Sequence, residues 1–178
     1  GLDIDLVREV SWSNVRDKLN IGLFDAAHLL APVAIASSLG LGHIKVPIAA
    51  PFNLGLNGNA ITVSNDIFAQ MKQHIPMQDG KPVHPIKADY LRPVVQSYKA
   101  QGKPFNMGVV FPVSTHNYEM RYWLAAGGIH QGFYSKTDIS GQIMGDVLIS
   151  VTPPPQMPAT LEAGTIYGYC VGEPWNQA

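Results

Sequence analysis

His116 follows Ser114 and Thr115 where an apolar, β-prone run, Gly108–Phe111, gives way to a helical pattern that ends at Gly127-Gly128. Pro112 interrupts the strand, and the two hydroxyls are candidate N-caps. The first backbone N–H groups of such a helix have no intrahelical acceptor and lie at the positive end of its dipole. A small anion can be held there by neutral donors, and the imidazole of His116 adds another N–H. The same residues also suit a plain helix cap followed by a surface histidine. The turn by itself leaves both readings open.

Two other residues have the chemistry of a neutral anion site. Trp12 offers an indole N–H and a flat face. Asn59, in a Gly-flanked turn, offers amide donors where backbone can approach closely. Each has a plainer reading, Trp12 as a core aromatic between Ser11 and Ser13, and Asn59 as a turn former. His28, on an apolar stretch, reads as a core histidine or as one facing a cleft. Tyr122 and Trp123 read as core. Glu173, Trp175 and Asn176 read as structural.

Enzyme signatures are missing. There is no G-x-S-x-G elbow, P-loop or H-E-x-x-H. Cys170 falls in an apolar strand, where a thiol is inert. The histidines at 28, 43, 74, 84, 116 and 130 lack metal-ligand spacing. We therefore expect a binding protein without catalytic residues, bound metal or cofactor. The 178 residues are 46% hydrophobic and 14% charged, the balance of a globular chain, and the net charge of −1 without basic clusters argues against nucleic acid. No apolar run approaches the roughly 20 residues that cross a bilayer.

The elements that must position these residues alternate along the chain. Strands are expected at 2–10, 24–30, 46–52, 60–64, 108–111, 146–152 and 166–171. Helices are expected from Ser13, as N-cap, to Asn20, over Pro32–Leu39 before Gly40, over Asn65–Gln73, from an Asp89 cap to Ala100, over 116–126, and from the Pro153-Pro154-Pro155 run to Gly164. A turn is expected at Gly55-Leu56-Asn57-Gly58 and a polar loop over Gly127–Gly145. Strands separated by helices imply an α/β fold with largely parallel sheets.

In order along the chain stand SWSNVRDKL (11–19), DAAHLLAP (25–32), LNGNAITVSN (56–65), FPVSTHNYEMRYWLAAGGI (111–129), and PPPQM with GYCVGEPWN (153–157 and 168–176). Together they resemble the nitrate-binding solute receptors of bacterial ABC transporters, a group that includes bicarbonate-binding relatives. The resemblance covers nearly the whole chain. It implies the type II periplasmic-binding-protein clamshell, an α/β fold in which an anion is held between two lobes. Residues 1–55 would be a partial first lobe, 56–171 the second lobe with its crossing strands, and 172–178 a hinge or return segment. Family members carry further segments at both ends, one of which brings a lysine to the ligand. The chain thus reads as a fragment with an incomplete first lobe.

The resemblance also places Trp12 and His116 on family ligand positions, with Thr115 beside His116. Asn59 falls where characterised nitrate receptors carry Gln, one methylene longer. The implied ligand is nitrate, with nitrite or bicarbonate as alternatives, and the implied partners are ABC permease subunits. Bicarbonate-binding relatives use calcium, whose ligands find no counterpart here. The implied compartment is the periplasm, with membrane contact only through the transporter or a lost lipid anchor. A cytoplasmic nitrate sensor of the same fold is the alternative.

Overall fold

The computed structural model describes residues 1–55, 58–135 and 141–177. The chain divides into two compact units, Gly1–Gly55 and Leu56–Ala178.

In the first unit, helix α1 spans Trp12–Asn20 and helix α2 Ala31–Leu39. The cap of α1 is Ser11, whose Oγ accepts from Asn14 N at 3.2 Å. Ser13 lies inside the helix, because Ser11 is the serine with extended backbone. Pro32 sits in the first turn of α2, and Gly40, in the left-handed region at φ 73°, ends it. The strands expected at 2–10, 24–30 and 46–52 do not form. A strand is stabilised by pairing and by a buried face, and these segments have neither. Leu2, Leu6, Val10, Ile44 and Phe52 are exposed, and only Val33, Ala36 and Ser37 of this unit are buried.

The second unit is built on a four-stranded sheet. Strand β1 is Asn59–Val63, and a small hairpin follows from β2, Met77–Gln78, and β3, Lys81–Pro82. Strands β4 (Asn106–Val109), β5 (Leu148–Val151) and β6 (Gly168–Gly172) complete the sheet in the order β1-β6-β4-β5. β4 runs parallel to both β5 and β6, while β1 is antiparallel to β6. Helices α3 (Asn65–Lys72), α4 (Arg92–Ala100) and α5 (Thr115–Ala126) and the short α6 (Met157–Glu162) connect the strands.

Met107 and Val109 of β4, Ile149 of β5 and Cys170 of β6 are buried in one core with Ile67 and Met71 of α3, Val94 and Val95 of α4, and Met120 and Leu124 of α5. Central parallel strands covered on both faces read as continuous apolar runs, which is why the 105–111 segment shows no alternation. The expected strand at 146–152 shortens because Asp146 is taken up elsewhere. Its carboxylate accepts from His130 N at 2.9 Å and from Lys99 Nζ at 2.6 Å. Asp89 does not cap a helix. It lies in a 3-10 turn, Ala88–Tyr90, that buries Ala88 and Leu91 before α4 begins at Arg92 without a side-chain cap. Of the expected turn at 55–58 and loop at 127–145, residues 56, 57 and 136–140 lie outside the described residues.

Among the described residues no helix is long and apolar enough to cross a membrane.

Candidate functional site

The strand β4 delivers the chain to a turn whose polar groups are spent on holding its shape. Ser114, fully buried, caps α5 by accepting from Asn117 N at 3.1 Å while its own hydroxyl donates to Phe111 O at 2.7 Å. Asn117 donates to Pro112 O at 2.7 Å and to the Tyr134 hydroxyl at 3.1 Å. Arg121, one turn on, donates to Asn117 Oδ1 at 2.9 Å and to the carbonyls of Gly141, at 2.8 Å, and Gln131. This network fixes the helix start against Gln131, Tyr134 and Gly141. It leaves Thr115, with an exposed side chain, and His116 as the residues whose leading amides have no acceptor within the helix.

His116 is 7% exposed, so the surface position open to it in the sequence is ruled out. Burial holds its pKa below the ordinary histidine value, with the Glu119 carboxylate pulling the other way, so the ring is neutral near pH 7. Nδ1 is buried without a hydrogen-bond partner. An orphaned N–H costs more than an orphaned lone pair of a weakly solvated nitrogen, so the proton belongs on Nε2. That nitrogen lies 3.8 Å from the point a Cβ on Gly172 would occupy, and Asn59 Oδ1 lies 3.5 Å from the same point. Register explains the meeting: Asn59, the first residue of β1, pairs with Gly172, the last of β6. Asn59 and His116 therefore come together over a glycine, where a side chain would fill the gap.

Asn59 also donates from Nδ2 to Glu119 Oε2 at 2.7 Å. Asn59 and Glu119 also line a groove of about 640 Å³, together with Ile61, Phe68, His84 and Trp123 among others. It is far larger than a four-atom anion needs, and His116 is not among its lining residues.

A full-length match joins the chain to known proteins, since the model of the NMT1-like family covers residues 1–178. The chain belongs to the NMT1-like family. It is 36% identical over 178 residues to the nitrate/nitrite binding protein NrtA of Nostoc sp., covering 98% of this chain and 34% of that one. It is also 36% identical to the bicarbonate transport ATP-binding protein CmpC of Synechococcus elongatus, covering 99% of this chain and 23% of that one. The crystal structure of the periplasmic nitrate-binding protein NrtA from Synechocystis superposes with a TM-score of 0.72 at 27% identity, over 97% of this chain and 39% of that chain. This member of the family thus has the periplasmic-binding-protein fold. It spans about a third of the length of the first of these relatives.

Of the other residues singled out in the sequence, Trp12 opens α1 in the first unit and is half-buried. His28 meets it edge-on, with ring centroids 5.7 Å apart, and is exposed rather than core. Tyr122 is also exposed, on the outer side of α5, whereas Trp123 packs on the core and donates to Ile86 O at 3.1 Å. Burial and the nearby Glu119 push the Cys170 thiol up to about 12, which keeps it protonated and unreactive. Asn176 braces the last strand, donating to Val171 O at 2.7 Å and accepting from Thr62 Oγ1 at 3.0 Å. Among the described residues no three His, Cys, Asp or Glu side chains gather as a metal would require. Sequence reasoning missed Glu119 and Gly172. Glu119 stands three positions after His116 on one helix face, a spacing that could have marked it.

Proposed function

We propose that the protein carrying this chain is the substrate-binding component of a nitrate ABC transporter, capturing a small planar anion without transforming it. The carrying observation is the neutral, buried His116 at the start of α5, its Nε2 facing Asn59 across Gly172. Nitrate is a planar monoanion with weak acceptor oxygens, so it is best discriminated by several fixed neutral donors rather than one strong base. The Nε2–H of His116 and the leading amides of α5 supply such donors, with the second Nδ2–H of Asn59 beside them. The relatives named for nitrate and nitrite binding support the ligand class, and the periplasmic NrtA supports a periplasmic location; ABC permease subunits are the partners that such a component would serve. Bicarbonate is the second reading, favoured by the equal identity to CmpC.

Calorimetry on the natural protein carrying this sequence tests the assignment. Saturable nitrate binding with no chemical change in the anion is expected. Tighter binding of bicarbonate in the presence of calcium would contradict it.

A further inference from the structure

Glu119 belongs to no donor set, yet it decides which atom Asn59 presents. A carboxylate only accepts, so the 2.7 Å contact to Glu119 Oε2 must be made by the amide nitrogen of Asn59. The carbonyl oxygen is thereby turned to the gap over Gly172, 3.5 Å from the Cβ point that His116 Nε2 approaches at 3.8 Å. The space is bordered by a donor on the His116 side and an acceptor on the Asn59 side, with a negative charge behind the acceptor.

That arrangement treats two kinds of anion differently. An anion with acceptors only, such as nitrate, can take the Nε2–H, the leading amides of α5 and the second Nδ2–H of Asn59. It also meets the Oδ1 lone pairs and the Glu119 charge, which oppose it. An oxyanion that carries a proton, such as bicarbonate, accepts from the same donors and donates its own O–H to Oδ1. We propose that Glu119 sets the selectivity of the anion site, favouring a proton-bearing oxyanion relative to nitrate by pinning the Asn59 amide with its oxygen toward His116. The inference rests on the placement of the anion at His116. Glu119 acts through Asn59 and through its charge; it is a selectivity residue rather than a ligand. Its side chain is exposed on α5, so replacing it does not disturb the core.

The test is to measure nitrate and bicarbonate affinities by calorimetry on the natural protein and on its Glu119→Gln, Glu119→Ala and His116→Ala variants. Removing the charge and freeing the Asn59 amide should strengthen nitrate binding on the order of tenfold, the scale of one like charge taken from a partly solvated site. Bicarbonate should stay level or weaken, so the ratio of the two affinities moves toward nitrate in both Glu119 variants. A purely structural role would weaken both anions together. Equal shifts for both anions, or none, would overturn the selectivity role while His116→Ala still weakened binding. If His116→Ala left both affinities unchanged, the placement of the site itself would be wrong, and this inference would fall with it.

Discussion

Replacing His116 with Ala is expected to weaken nitrate binding by about 1–3 kcal/mol, the cost of losing a hydrogen bond to a charged group. The loss should fall on binding rather than folding, because two structural effects oppose each other. Removing a ring that is only 7% exposed leaves a small void, which destabilises. The same change removes a buried nitrogen, Nδ1, that has no partner, which relieves an unsatisfied polar group. The helix start is untouched, since Ser114 and Asn117 hold it without help from His116. Calorimetry with a parallel thermal melt reads both quantities. Unaltered affinity in a folded variant would mean that His116 only begins a helix.

Replacing Gly127 with Ala should damage the fold itself, by about 3 kcal/mol or more. Gly127 ends α5 at φ −87°, a conformation any residue adopts, so the requirement for glycine is one of space. A Cβ there would stand 2.4 Å from the Ala88 carbonyl carbon and 2.5 Å from Asp89 N. These are backbone atoms of the turn that leads into α4, and they cannot swing aside as a long side chain does. The expected fall in melting temperature is about 10 °C or more for a unit of this size. Gly164→Ala is the comparison: at φ +70° with nothing within 4 Å, it should cost only the left-handed strain, about 1–2 kcal/mol. Similar losses in the two variants would show that conformation, not close approach, is what glycine supplies at 127. The contact matters for the site because it anchors the far end of the helix whose first turn carries His116.

The parts of this molecule legible in the sequence are those decided by local chemistry. Pro112 with Ser114 marked the start of α5, and Pro32 and Gly40 bracketed α2. The capped turn before His116 was readable because caps and orphan amides follow from a few adjacent residues. What was not legible depends on partners distant in the chain. The alternation of Leu2, Ile4 and Leu6 with acidic residues looks like a strand, but a strand needs a neighbour, and this unit has none for it. Asp89 has the right side chain for a cap, yet burial of Ala88 and Leu91 draws the chain into a tighter turn before the helix. Tyr122, beside Trp123 on the helix after His116, reads as core, while the actual inner face of α5 is set by Met120 and Leu124. The pairing of Asn59 with Glu119 spans 60 positions. It exists only because β1 is antiparallel to β6 and places Asn59 opposite Gly172.

The most direct measurement is nitrogen-15 NMR of the histidine side chains of the natural protein during titration with nitrate. The His116 Nε2 resonance should move saturably with the same midpoint as calorimetric binding, and should keep the signature of a neutral ring protonated at Nε2. Nitrate bound at saturation with the His116 ring unperturbed would place the anion elsewhere and contradict the site described above.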